Sequence, residues 1–404
     1  MLHHILLAGV LQLLRGDLRV RGLRGVGLGL SLLVLGACGT DGSSGGAESD
    51  ASHGNPDSGP VGVPGEGDSQ GPGGDPSDTA GEVIAGSGEG DSQGPGGDPS
   101  DTAGGAIAGP GDGDFVIAPP YIPAPETLPN DQVPVGVLSD FTMDSADSLV
   151  FPVDVATGQP FNRAVSVYVP SQYVAGTAAP FMVVQDGITF FAGTMVPVLD
   201  NLIAAGELPA MVAIFVEPGP DGGTPDGERS FEYDSVSEAY VNFVEQELLP
   251  RVEAETGVQL TDDPEGRGAM GGSSGGAAAF TMGWHRPDSF RRILTISGSF
   301  CDLQPNTAHP AGAWEYHDHL IAETVLQPLR VTLLVSENDL NWNSDESTRR
   351  DWEAANRAMA AALAAKGYAY RFVFAEGADH VDWNVLQTTL PDTLRWLWQG
   401  YPAS

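Results

Sequence analysis

Positive charge is scarce in this sequence. Lys and Arg total 18 against 54 Asp and Glu, a formal net charge of −36. A protein that neutralises phosphates needs the basic residues missing here, so nucleic acid is excluded as a partner. The same imbalance repels anionic lipid surfaces and favours solubility. Cysteine is scarcer still, with only Cys38 and Cys301. A secreted fold stapled by disulfides would carry an even set within its folded part, so this one has to rely on an apolar core. Cys301 then reads as a small buried apolar residue. Long apolar runs are also lacking: Val26–Ala37 is too short to span a bilayer comfortably.

What is present at the N-terminus has a different use. Arg15, Arg19, Arg21 and Arg24 precede that apolar run, and small residues follow it, the layout of a secretory signal. Leu35-Gly-Ala-Cys38 resembles the lipobox of bacterial lipoproteins, which implies cleavage before Cys38 and acylation of its thiol. The expectation is a chain exported and anchored by lipid to the cell envelope, most simply the outer membrane. The stretch before Arg15 is long for a signal, which places the expected start downstream. Residues 40 to about 114 contain no Lys or Arg, and Gly65-Glu-Gly-Asp-Ser-Gln-Gly-Pro-Gly-Gly-Asp-Pro-Ser-Asp-Thr-Ala-Gly81 recurs word for word from Gly88 to Gly104. Stacking such repeats would bury nothing, so 39–114 is expected to be a disordered acidic tether. Its flexible span would be on the order of 50 Å.

From Phe115 to Ser404 the composition is that of one large domain. Short apolar, β-branched runs recur at 149–155, 164–169, 181–185, 211–216, 293–297, 331–335 and 370–374. Between them lie helix-like segments at 236–252 and 350–366, with another at 389–398. Strands alternating with helices imply an α/β fold, a mainly parallel twisted sheet covered on both faces. Runs 149–155 and 164–169 are expected to form an antiparallel edge.

The pattern Gly-x-Ser-x-Gly marks a serine on a tight strand-to-helix turn, where glycines remove Cβ atoms that would clash. It occurs cheaply in the tether, around Ser44, Ser69 and Ser92, with neither strand nor helix beside it. Around Ser273 the context fits, with Arg267–Gly271 as strand and Ser274–Trp284 as helix. A serine hydroxyl is a poor nucleophile without a base, itself oriented by a carboxylate. Chain order for this turn is serine, acid, histidine. His380, just past run 370–374, is the expected base. His309, His317 and His319 precede any suitable acid, and His317 with His319 lacks a third nearby metal ligand. Asp339, after run 331–335, is the expected acid, with Glu337 and Asp345 as rivals on the same loop. An oxyanion needs backbone donors: Ser274 offers one, and Gly187 or Ile188, after run 181–185, the second.

Met270-Gly-Gly-Ser-Ser-Gly-Gly276, Trp284-His-Arg-Pro-Asp-Ser-Phe290 and Gly298-Ser-Phe300 resemble the enterochelin-esterase-like esterase family. That family also includes feruloyl esterases, S-formylglutathione hydrolase and mycolyltransferases. Gln185-Asp-Gly187, Arg229-Ser-Phe-Glu-Tyr-Asp234, Glu337-Asn-Asp339 and Leu394-Arg-Trp-Leu-Trp398 extend the likeness over most of residues 150–400. The resemblance implies an α/β-hydrolase fold without a lid domain, no metal or organic cofactor, and cleavage of a small-molecule or carbohydrate-linked carboxylic ester through an acyl-enzyme. It supports Ser273, Asp339 and His380. Asp379 stands where relatives often place glycine, and Trp314–Ile321 also departs from the family pattern. Trp342 and Trp383 are candidates for pocket walls. Acyl transfer with the same three residues, or binding on an inactive hydrolase scaffold, are the competing functions.

Overall fold

The computed structural model describes residues 111–221, 227–341 and 343–402. The signal, Cys38, the repeated tether and Trp342 lie outside the described residues. Nine strands form one sheet: β1 (Gly113–Ile117), β2 (Val137–Asp144), β3 (Asn162–Val169), β4 (Phe181–Gln185), β5 (Val212–Val216), β6 (Arg267–Gly272), β7 (Arg292–Ile296), β8 (Arg330–Asn338) and β9 (Ala369–Asp379). Their spatial order is β1-β9-β8-β7-β6-β4-β5-β3-β2. Only β3 opposes its neighbours, pairing antiparallel with both β2 and β5.

The central strands are apolar on both faces, as a sheet covered twice must be. Val183, Ile214, Ala269, Ile293 and Leu333 face one core with Phe280 and Met359. Their alternate neighbours Met182, Val184, Phe215, Met270 and Leu334 face the other with Leu199 and Trp396. Four helices matter here: α1 (Ala192–Ala204), α2 (Ser274–His285), α3 (Trp352–Lys366) and α4 (Trp383–Leu397). The helical run Gly187–Ala204 is apolar and long enough to cross a membrane. Its Met195, Val198, Leu199 and Leu202 are instead packed in the second core.

The architecture is the α/β-hydrolase sheet expected from the sequence. Its edge differs. Run 149–155 is not a strand, and β2 is the partner of β3. Leu149 is 90% exposed while Phe151 turns into the core, and Pro152 cannot donate to a ladder. The turn is held from both sides: Ser145 Oγ donates to the Pro152 carbonyl at 3.0 Å and accepts from Phe161 N–H at 2.8 Å. A further strand, β1, lies parallel along β9 at the opposite edge. Helix α4 starts at Trp383 rather than Thr389, because Asp382 caps it by accepting from Asn384 and Val385 N–H.

Candidate active site

Strand β6 delivers Ser273 to the C-terminal edge of the sheet. Its backbone sits at φ 56°, ψ −127°, and α2 begins at the next residue. The preceding strand and the helix approach so closely that a Cβ on Gly271 would lie 2.4 Å from the Gly275 backbone. Glycine is therefore required there, the physical content of the motif. The Ser273 carbonyl accepts from Gly276, Ala277 and Ser299 N–H, which anchors the strained turn to two elements. The hydroxyl lies 3.5 Å from Ser299 Oγ, and Ser299 accepts from Trp352 Nε1 at 3.0 Å.

Asp339 leaves the end of β8 and is 2% exposed. Its Oδ1 accepts from Leu340 N–H at 2.8 Å and meets His380 Nδ1 in a short hydrogen bond. His380 directly follows β9, and the Trp352 ring meets its imidazole edge-on, centroids 6.3 Å apart. Val381 packs over Gly272, where a Cβ would come within 3.2 Å of Val381 Cγ1. The residues flanking His380 and Ser273 are thus in contact. Glu337 is directed elsewhere, its Oε2 accepting from Gly377 N–H at 2.6 Å, and exposed Asp345 binds Ser347. Trp383 is 45% exposed at the start of α4.

The other histidines are engaged outside this group. His309 Nδ1 meets Glu315 at 2.8 Å, His317 Nε2 the Phe300 carbonyl at 3.3 Å, and His319 Nδ1 Asp318 at 3.2 Å. Burial pushes His317 down to about 4, so it is neutral at pH 7. Among the described residues no three His, Cys, Asp or Glu gather as metal ligands.

Of the expected oxyanion donors, Ile188 is already committed: its N–H and that of Thr189 both donate to Glu217 Oε1 at 2.9 Å. Nothing in the sequence announces this carboxylate reaching back from the end of β5. Gly187 remains, pressed so close to β5 that a Cβ would lie 2.7 Å from Phe215 Cα. Sequence reasoning also missed the ionic clamp beneath these donors. Arg229 binds Asp186 through two parallel bonds, Nε to Oδ1 at 2.9 Å and Nη2 to Oδ2 at 2.8 Å. Asp186 is 3% exposed with φ 53°, immediately before Gly187. Its Oδ2 would lie 3.0 Å from a Cβ on Gly275, so the carboxylate sits against the first turn of α2, where a helix favours negative charge. The Arg229–Asp186 pair thereby braces the segment before Gly187 against the first turn of α2. Nearby, buried Asp234 accepts from Ser230 Oγ at 2.6 Å, and burial pushes its carboxyl up to about 6.

The family model described as "Putative esterase" matches residues 159–397. The chain belongs to this esterase family. The chain is 31% identical over 229 residues to the iron(III) enterobactin esterase of Dickeya dadantii (strain 3937), which covers 55% of this chain and 48% of that protein. It is 28% identical over 147 residues to the uncharacterized protein YbbA of Bacillus subtilis (strain 168), 34% of this chain and 58% of that one. It spans about half the length of these curated relatives. The ferulic acid esterase AmCE1/Fae1A of Anaeromyces mucronatus has the same fold, with a TM-score of 0.50 at 14% identity, covering 68% of this chain and 95% of that one. The enterochelin-esterase-like family named from the motifs is the one the comparisons return.

Glu228, the residue before Arg229, makes a pH-dependent contribution to stability. It is fully buried; Oε2 accepts from Val155 N–H at 2.8 Å, and Oε1 has no partner among the described residues. Burial pushes its carboxyl up to about 7 from an ordinary 4.5. The folded state therefore holds this proton more tightly than the unfolded chain. The associated stability is complete below about pH 4.5 and is lost as pH rises through 7. Glu228→Gln, which stays neutral, should raise the thermal midpoint by a few degrees at pH 8 and leave it unchanged at pH 5. A lower midpoint at pH 8 would mean the carboxylate is ionised and stabilising in place.

Proposed function

We propose that this chain is a serine carboxylic-ester hydrolase working through an acyl-enzyme. The observation that supports it most is the bond between buried Asp339 and part-buried His380, whose neighbour Val381 packs on Gly272 next to Ser273, with Ser273 itself on a positive-φ turn, a strained position of the kind held at functional sites. With Nδ1 turned to Asp339, Nε2 of His380 is left to accept the Ser273 proton as Oγ bonds to the ester carbonyl carbon. Such contacts are commonly loose without substrate and tighten in the complex. Negative charge moves to the carbonyl oxygen and is met by the N–H groups of Ser274 and Gly187. Collapse expels the alcohol, which takes its proton from His380. A water then gives a proton to His380 and attacks the acyl carbon; the acid leaves, and Ser273 recovers its proton.

The test is hydrolysis of p-nitrophenyl acetate and butyrate by the full chain, followed as released nitrophenolate. An initial burst equal to the enzyme concentration is expected if deacylation is slow. A fluorophosphonate should label the peptide containing Ser273 and stop turnover in proportion. Turnover that survives complete labelling, or a folded protein that releases no nitrophenolate, would refute the proposal.

A further inference from the structure

In a chain so rich in carboxylates, an arginine left without one is informative. Arg163, Arg229, Arg267, Arg286, Arg292 and Arg395 all stand within ion-pair distance of Asp or Glu, as do Arg251, Arg291, Arg330 and Arg357. Arg371 is buried over the Phe115 ring, and Lys366 donates to the Ala322 carbonyl. Arg349 and Arg350 differ: they are consecutive, exposed, and have no carboxylate partner among the described residues. Both open into one cavity of about 420 Å³, which Trp314 and His317 also line. Asp351 and Asp318 line the same cavity, and neither is within ion-pair distance of the two arginines. Asp351 caps α3 by accepting from Ala354 N–H at 3.0 Å, and exposed Asp318 meets His319.

The backbone holds this pair in place. Arg349 has φ 52°, a conformation that a residue with a Cβ adopts at a cost. Asp302 N–H donates to the Arg349 carbonyl at 3.0 Å, and Arg350 Nε donates to the Asp302 carbonyl at 3.1 Å. Asp302 is three residues beyond Ser299, whose hydroxyl neighbours Ser273. Three Cα steps span at most about 11 Å, so Asp302, which bonds to both arginines, lies within that reach of Ser299. A guanidinium offers planar donors suited to two oxygens of one anion. His317, neutral at pH 7, supplies a flat polar wall and Trp314 an apolar one.

We propose that Arg349 and Arg350 form an anion subsite, and that the ester cleaved at Ser273 carries a carboxylate or phosphate at its far end. The substrate half of this statement rests on the serine-esterase proposal; the subsite half does not. Two measurements on the full chain separate them, each repeated on the R349Q/R350Q variant. The variant loses only the exposed bond from Arg350 Nε to the Asp302 carbonyl, so its thermal midpoint should fall by no more than a few degrees. The first is calorimetric titration with benzoate and with inorganic phosphate: saturable binding of either, weakened about 10- to 100-fold in the variant, is expected, and the stronger one names the anion. The second compares kcat/KM for 4-nitrophenyl hydrogen suberate and its neutral methyl ester. The wild type should prefer the anionic ester at least about tenfold, and the variant should lose that preference while cleaving the methyl ester as before. No saturable binding of either anion, or binding unchanged in the variant, overturns the subsite. Equal cleavage of the two esters overturns the substrate class. Anion binding through the arginines with neither ester cleaved would keep the subsite and sink the esterase proposal.

Discussion

Replacing Ser273 by alanine is expected to reduce kcat toward p-nitrophenyl butyrate by on the order of 10⁴- to 10⁶-fold, with the thermal midpoint within a degree or two of the wild type. The two halves of that result have separate causes. Among the described residues the hydroxyl has one hydrogen-bond partner, Ser299 Oγ at 3.5 Å, the far limit of a hydrogen bond, so its loss removes little polar stabilisation. The backbone bonds that fix the turn, from Ser273 N–H to Ile296 and from three N–H groups to the Ser273 carbonyl, survive in alanine. What disappears is the atom that forms the acyl-enzyme. The residual rate should reflect the oxyanion donors and binding alone. A variant that keeps most of the turnover would place the nucleophile elsewhere, and one that loses activity by unfolding would show it in the thermal midpoint. Ser273→Gly tests the turn separately: glycine accepts φ 56° without cost, so it should be inactive yet no less stable than the alanine variant.

The parts of this molecule that could be read from sequence are those where one local rule decides. The central strands announce themselves as β-branched runs because both faces are buried, and the nucleophile turn because only glycine tolerates the contact between Gly271 and Gly275. Asp339 and His380, which the fold brings into a hydrogen bond, are the acid and base expected from chain order. What escaped was set by partners far away in sequence. Strand β2 mixes apolar and polar residues with mostly exposed side chains and no continuous β-branched run, and it is held by pairing with β3 along its whole length. Phe151 belongs to a run that reads as strand, yet it is drawn off the sheet into an aromatic cluster with Phe243 and Tyr240. The capture of Ile188 N–H by Glu217 joins residues 29 apart, and the Arg229–Asp186 clamp joins residues 43 apart. Each is a charge–dipole or charge–charge contact with no periodicity, so only the fold reveals it.

Asp339→Asn is expected to cost about 10⁴-fold in kcat while leaving the fold intact. In the wild type the carboxylate accepts from His380 Nδ1–H, which fixes the tautomer whose Nε2 carries the free lone pair. It also stabilises the imidazolium formed as Ser273 gives up its proton. Asparagine keeps the size and can still accept from Leu340 N–H, but its amide can turn an N–H toward Nδ1. Nδ1 then becomes the acceptor, Nε2 carries the proton, and the base cannot take another from Ser273. Burial strengthens the effect, since Asp339 is shielded from water that could otherwise orient the ring. The rival acids give the control. Glu337 serves Gly377 N–H, and Asp345 serves Ser347, so Glu337→Gln and Asp345→Asn should each change kcat by less than about threefold. Should Glu337→Gln prove the damaging substitution and Asp339→Asn the mild one, the acid is misassigned and the His380 ring must turn from the position it holds here.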